Sequence, residues 1–144
     1  MATRLPNASQ QAAADAVVDL IDVGTGATEG KLRLYSGAQP ADADSAPVGS
    51  LLVEIDLANP AYGAADATGT AALAGTPFSG VGLAAAGGGT NAQSFRIVDR
   101  DGNTVVDGAV TGDGGGGELE LDNVSIAEDQ TVNITSLDYV HPAA

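Results

Sequence analysis

The acidic run from Asp99 to Asp107 is the part of this sequence whose residue types come nearest to a metal site. Carboxylate and amide oxygens recur there at alternate positions, and such oxygens are the ligands that Ca²⁺ takes. The run departs from a calcium-binding EF-hand loop twice, because Thr104 stands where that loop needs glycine and Val110 where it needs a bidentate glutamate. Calcium binding at Asp99–Asp107 therefore stays open as an alternative, whereas a β-hairpin explains the same residues without a metal.

Few residues of this sequence are candidates for a catalytic nucleophile, acid or base. His141 is the sole histidine, and it lies beside Pro142 in the closing residues, where a general base would lack an orienting partner and a pocket. The lack of cysteine excludes a disulfide framework, a thiolate zinc site and a cysteine nucleophile. Carboxylate pairs for glycoside hydrolysis are available, but three Tyr and two Phe offer little aromatic surface to a sugar. We predict no enzyme, no catalytic residue, no cofactor and no metal.

The charge of the chain is strongly acidic, with 19 Asp and Glu against 5 Lys and Arg and a net charge of −14. Phosphate neutralisation needs clustered cations, so we expect no nucleic-acid partner and no binding to an anionic membrane. The sequence holds no run of 18 apolar residues and no stretch like a signal peptide, so we expect a soluble protein made in the cytoplasm. Aromatic residues make up only 3% of the chain, and such a small core would gain from self-association.

The same acidic run contains the clearest secondary-structure signal. Asp101-Gly102-Asn103 separates two segments rich in aromatic and β-branched residues. Asp-Gly in that setting is a strong hairpin signal, because glycine accepts the positive φ that a tight reversal needs. The pattern predicts antiparallel strands over about 94–99 and 103–110.

A helix is predicted over residues 8–23, after a tail at 1–7, with Asn7 or Ser9 as its cap and Gly24 ending it. Its apolar residues recur with helical spacing and define one face, expected to pack on a sheet or, alternatively, to dock on a partner. The residues of that face are Ala13, Ala16, Val17, Leu20 and Ile21.

The remaining chain reads as short strands separated by turn-forming residues. Strands are predicted at 31–35, 50–57, 118–121 and, as one long closing strand, 130–140, with weak strands near 70–74 and 80–84. About seven strands at regular spacing predict a mainly β fold, an antiparallel β-sandwich of Ig-like or jelly-roll-like type with one N-terminal α-helix. We expect a single domain over 1–144, with the sandwich occupying 31–140.

The order of four sequence motifs carries a resemblance that spans about residues 31–142. The motifs are LRLYSGAQP, LLVEIDLANPAYG, FRIVDRDGNTVVDGAV and the closing ELELDNVSIAEDQTVNITSLDYVHP. In this order they resemble a group of small virion proteins encoded among the head and tail genes of tailed bacteriophages. The chain departs from that group in its few aromatic residues and in Glu128-Asp129, where a glycine turn is commoner.

The resemblance implies a structural role in the virion. The first expectation is a capsid decoration (cement) protein, a homotrimer that binds the major capsid protein on the outer capsid surface and is synthesised in the host cytoplasm. The expected partner contacts are Arg4, Leu5, Val17, Leu20 and Ile21. A tail or neck component of the same fold is the alternative, and a carbohydrate- or calcium-binding β-module is the second alternative.

Overall fold

Strands account for most of the regular structure in the computed structural model, which describes residues 3–141. The fold is mainly β with one N-terminal α-helix, as predicted. The first two residues of the predicted tail, and Pro142 of the closing motif, lie outside the described residues. None of the helices within 3–141 combines the length and the apolar character needed to cross a membrane.

The described residues form eleven strands, most of them short. In chain order they are β1 (Lys31–Tyr35), β2 (Leu51–Asp56), β3 (Thr70–Ala71), β4 (Phe78–Val81), β5 (Thr90–Asn91), β6 (Ser94–Val98), β7 (Thr104–Gly112), β8 (Leu119–Leu121), β9 (Ser125–Ile126), β10 (Thr131–Ile134) and β11 (Tyr139–Val140). The predicted hairpin is confirmed as β6 and β7. The strand predicted at 31–35 is confirmed as β1, and that at 50–57 as the slightly shorter β2.

One curled five-stranded sheet, in the order β2-β1-β6-β7-β8, forms the centre of the fold. The first three pairings are antiparallel. The fourth is parallel, with Val110 opposite Leu119, so the prediction of an all-antiparallel arrangement is wrong there. A parallel pair usually needs a long crossover, but here the glycine-rich loop 113–118 suffices because Gly114 and Gly116 adopt positive φ.

Three two-stranded pairs surround this sheet: β4 with β10, β3 with β11, and β5 with β9. The long strand predicted at 130–140 is wrong, because the chain leaves the extended path after Ile134 and pairs again only at Tyr139. Val132, Ile134 and Leu137 are all buried. A strand that kept its two-residue period would place Leu137 on the opposite face, so burying all three requires the break.

The helix α1 (Asn7–Asp19) continues into a 3₁₀ turn at Leu20–Asp22. Its N-cap is Pro6, with no capping side chain, so the prediction that Asn7 or Ser9 caps the helix is wrong. The backbone oxygen of Pro6 instead accepts the N–H groups of Ser9 and Gln10, at 2.9 and 3.0 Å.

The buried face of this helix is rotated from the predicted one. Ala14, Val18 and Ile21 are buried, whereas Leu20 is 52% exposed. Two acidic side chains explain the rotation, because Asp15 accepts the Ala65 N–H at 2.6 Å and Asp22 accepts the Ala61 N–H at 3.0 Å. Both carboxylates turn toward the protein to satisfy backbone groups, and the apolar stripe turns with them.

The two faces of the central sheet differ in chemistry. The core face carries fully buried aliphatic and aromatic side chains, among them Leu32, Leu34, Phe95 and Ile97. The other face carries a row of charges, one from each of four adjacent strands. In strand order the row is Glu54, Arg33, Arg96 and Asp107. The loop 36–49 runs over this second face, where Gly37 accepts the hydroxyl of Ser94 at 2.7 Å.

Candidate functional site

A cleft of about 600 Å³ lies between β7 and the segment 135–140. Apolar and aromatic side chains supply much of its lining. They are Tyr62, Phe95, Ile97, Val106, Leu137 and Tyr139. Four separate parts of the chain meet here: the central hairpin, the turn before β3, the loop 113–118 with β8, and the broken closing strand.

The lining of this cleft, which we call the acidic cleft, includes the carboxylates of Asp113, Glu118, Glu120 and Asp138. No Lys, Arg or His stands among the described residues that line it. Glu118 accepts the N–H of Ala109 at 2.8 Å, and Glu120 accepts two N–H groups of the loop 113–118, both at 3.1 Å. The two glutamates therefore hold the wall in place, while the cleft as a whole attracts cations.

The pKa of Tyr62 reflects both burial and the negative charge of the acidic cleft. Burial raises the pKa of its hydroxyl above the ordinary value, and the negative charge of Asp138 raises that pKa further. Burial also raises the pKa of Tyr139. Both phenols therefore stay neutral at physiological pH, so the negative charge of the cleft comes from its carboxylates alone.

The outer edge of β7 runs along the acidic cleft. The N–H of Val110 donates to Gln93 on the β6 side at 3.0 Å, whereas the N–H of the preceding Ala109 points the other way, to Glu118. Backbone groups alternate along a strand, so Asp107 also directs its N–H and C=O away from β6. Within residues 3–141, β8 pairs with β7 only from Val110 onward, and no strand covers this edge over 104–109.

The carboxylates of the acidic run 99–107, where calcium binding was the alternative to a hairpin, make hydrogen bonds within the fold. Asp99 accepts the N–H groups of Asp101 and Asn103, each at 2.9 Å, and so closes the hairpin turn. Asp101 accepts the N–H groups of Thr25 and Gly26 at 2.9 and 2.7 Å, which ties the connector 24–30 to the hairpin. No group of three or more metal-ligating side chains occurs in the part of the chain that the structure describes.

Asp107, the last residue of that run, lies on the charged face of the sheet. Its side chain is only 9% exposed. Oδ1 accepts the side-chain amide of Gln39 at 2.9 Å, and Oδ2 lies 3.9 Å from the guanidinium of Arg96. Arg96, itself 7% exposed, also donates to the backbone oxygen of Ser45 in the covering loop. These contacts anchor the loop 36–49 onto the sheet.

The residues predicted to contact a partner are spread along the N-terminal segment. Arg4 and Leu5 are exposed, Val17 is half-buried, and Leu20 is more than half exposed. Ile21 is fully buried, so its side chain packs in the core and is not presented at the surface. Leu5 and Leu20 flank a helix of 13 residues, which separates them by about 20 Å, so they do not form one patch.

Sequence reasoning missed the acidic cleft. Its lining comes from segments far apart in the chain, and only their folding brings Tyr62, Phe95 and Leu137 together. One local signal was present: the alternation at 118–121 places Glu118 and Glu120 on the same face of a strand. That signal indicates an acidic strand face but does not indicate what lies opposite.

Comparison with known proteins assigns no family to the chain. No protein-family model, curated protein or solved structure matches it. Function is therefore inferred from the contacts and charges described above and from the order of the sequence motifs.

Proposed function

We propose that this chain is a non-enzymatic structural protein of tailed-bacteriophage virions, a capsid decoration (cement) protein. In this role it binds the outer surface of the major capsid shell as a homotrimer and stabilises the shell. Many identical copies on a symmetric surface turn individually weak contacts into a large total stabilisation. The order of the four sequence motifs supports the assignment to virion proteins.

The exposure of large apolar side chains at the end of α1 is the structural observation that supports binding to a larger surface. Leu20 is 52% exposed and the neighbouring Val23 is 55% exposed. Adjacent exposed aliphatic side chains favour burial in an interface, because each gains about 25 cal/mol per Å² of apolar area removed from water. Leu20 and Val23 are therefore the proposed centre of the capsid contact, with Arg4 and Leu5 at the other end of the helix.

We also propose that the fold is a β-sandwich of Ig-like or jelly-roll-like type. Its two layers would be the central sheet and the β4–β10 pair. The close approach of Gly80 in β4 to Ile55 in β2 supports this, because a Cβ at Gly80 would lie 2.5 Å from Ile55 Cγ1. Such a small separation indicates tight face-to-face packing between the layers.

Co-sedimentation with capsids tests the proposed function. Expanded capsids that lack the protein should bind it from solution, and Leu20→Asp should raise the concentration needed for half-saturation about tenfold, because it places a charge in the apolar contact. Val48→Asp is the matched control, since Val48 is 48% exposed on the loop 36–49 and should change binding little. Absence of the wild-type protein from the capsid pellet would overturn the proposal.

Copy number in the particle separates decoration from the tail or neck alternative. A decoration protein should be present in hundreds of copies, whereas a tail or neck component should be present in a few to a few tens. Quantitative mass spectrometry against the major capsid protein gives this ratio directly.

A further inference from the structure

The open edge of β7 lies beside a cavity of a size that suits a ligand. Binding sites for small ligands span about 300–1,000 Å³, and the acidic cleft measures about 600 Å³. The backbone groups of Asp107 face this space and, within residues 3–141, no strand pairs with them. An unpaired strand edge beside open space is a template for a further strand.

The side chains around this edge specify which strand would fit. Val106 and Tyr139 are only partly buried and offer apolar surface. Asp113 and Asp138 add negative charge, with no basic residue among the described lining. An extended segment alternates its side chains between two faces. Alternating apolar and basic residues would therefore place aliphatic side chains on the apolar lining and ammonium or guanidinium groups near the carboxylates.

We propose that the acidic cleft binds an extended, basic segment of a partner protein, which adds to the outer edge of β7 as a further strand. Main-chain hydrogen bonds to Asp107 would supply the pairing, and the lining would select alternating apolar and basic side chains. No strand covers the edge over residues 104–109, and the N–H of Ala109 is already bonded to Glu118. The edge therefore accommodates a segment of about five residues. This inference does not rest on the proposed function, because any partner with such a segment would fit.

A synthetic peptide tests the proposal on the intact chain. The probe is an acetylated and amidated heptapeptide of alternating Lys and Val, added to isotopically labelled protein and followed by amide NMR shifts. The expected shifts centre on Val106, Asp107 and Tyr139. A peptide of the same sequence that is N-methylated at alternate residues should bind about tenfold more weakly, because it cannot complete the strand pairing.

Charge variants of the protein test the selection for basic residues. The double variant Asp113→Asn with Asp138→Asn should bind the Lys-Val peptide about tenfold more weakly, since two carboxylates near the peptide are lost. Asp19→Asn with Asp44→Asn removes the same net charge from exposed positions outside the cleft, and should change the affinity less than about twofold. Circular dichroism of each variant confirms that the fold is retained.

Each of four results would overturn the proposal. Equal binding of the N-methylated peptide would show charge attraction without strand pairing, and equal weakening by both double variants would show attraction to the whole acidic surface. Concentration-dependent shifts of the Asp107 amide in the protein alone would assign the open edge to a second copy of this chain. If the protein binds capsids but does not bind the Lys-Val peptide, this inference fails while the proposed function stands.

Discussion

At the scale of single residues, Arg96 and Asp107 carry the most deeply buried ion pair among the described residues. Their side chains are 7% and 9% exposed, and Arg96 Nε and Asp107 Oδ2 have no hydrogen-bond partner within the described residues. Removing one member of a buried pair leaves the other charge uncompensated. Asp107→Asn should therefore lower the free energy of unfolding by about 3 kcal/mol, measured by urea denaturation.

An exposed ion pair on the same sheet provides the control. Lys31 and Asp56 form a surface pair, and breaking it with Lys31→Met should cost less than about 1 kcal/mol. Replacing both buried partners, by Arg96→Met with Asp107→Leu, should recover part of the stability lost by the single variant, because no lone charge remains. Equal losses of unfolding free energy in Asp107→Asn and Lys31→Met would contradict the stabilising role of the buried Arg96–Asp107 pair.

The carboxylate of Asp99 makes stability depend on pH. Burial opposes its ionisation, but hydrogen bonds from Asn103 and from the backbone of Asp101 outweigh burial and hold the pKa of Asp99 below its ordinary value of 3.8. A folded-state pKa below the unfolded one stabilises the protein above the unfolded value, and that contribution disappears as the pH falls through the folded-state pKa. Acid should therefore weaken the hairpin turn.

Asp99→Asn isolates this effect because the amide oxygen still accepts hydrogen bonds while the charge is lost. The variant should have a lower urea midpoint than wild type at pH 7, and the difference should shrink as the pH is lowered below 3.8. Asp44→Asn, at an exposed loop position, should show neither effect. A difference that stays constant from pH 7 to pH 2 would refute the role of the charge.

The burial of Asp107 shows how far residue roles were predictable. The hairpin pairs Val98 with Thr104 next to the turn, and its register shifts by one residue before Arg96 lies opposite Asp107. The turn predicted the hairpin, but it did not predict this shift or the pairing of Arg96 with Asp107. The loop 36–49 that covers the pair is a tertiary contact, and no local pattern indicated it.

At the scale of elements, the contact between β2 and β4 depends on a glycine. A Cβ at Gly80 would lie 2.5 Å from Ile55 Cγ1 and 3.0 Å from Val53 Cγ1. Gly80→Ala should push the strands apart and lower the free energy of unfolding by about 1–3 kcal/mol, as overpacked cores do. Thermal and urea denaturation measure the change.

Gly88→Ala is the matched control for this substitution. A Cβ at Gly88 meets nothing within 4 Å, and its φ lies outside the left-handed region, so alanine is tolerated there. A Gly80→Ala variant as stable as Gly88→Ala would refute the close packing of β4 on β2.

Local signals predicted the elements they control and failed where distant contacts decide. Alternation and the Asp-Gly turn were enough to locate β1, β2 and the β6–β7 hairpin along the chain, because these signals lie within the elements themselves. The closing strand was predicted too long, because burial of Leu137 against the core overrides its extended pattern. The helix was predicted in place, and Ile21 of its predicted face is buried, but the rest of the buried face is rotated because Asp15 and Asp22 turn inward to accept distant N–H groups.

At the scale of the whole molecule, an acidic surface surrounds a small core. The chain has a net charge of −14, and three of its five basic residues, Lys31, Arg33 and Arg96, form ion pairs on the central sheet. Most of the surface is therefore negative, which favours basic partners. The acidic cleft was not predictable from the sequence, because it exists only once the hairpin and residues 135–140 are brought together.

The position of this chain in the virion is the decisive measurement for the proposal that it decorates a capsid. A cryo-electron microscopy reconstruction of particles made from the genome that encodes it locates the density of this fold. We expect trimeric densities on the outer surface of the shell, in hundreds of copies, with the Leu20 end of α1 toward the major capsid protein. Density confined to the tail or neck, or particles that lack the protein altogether, would contradict it.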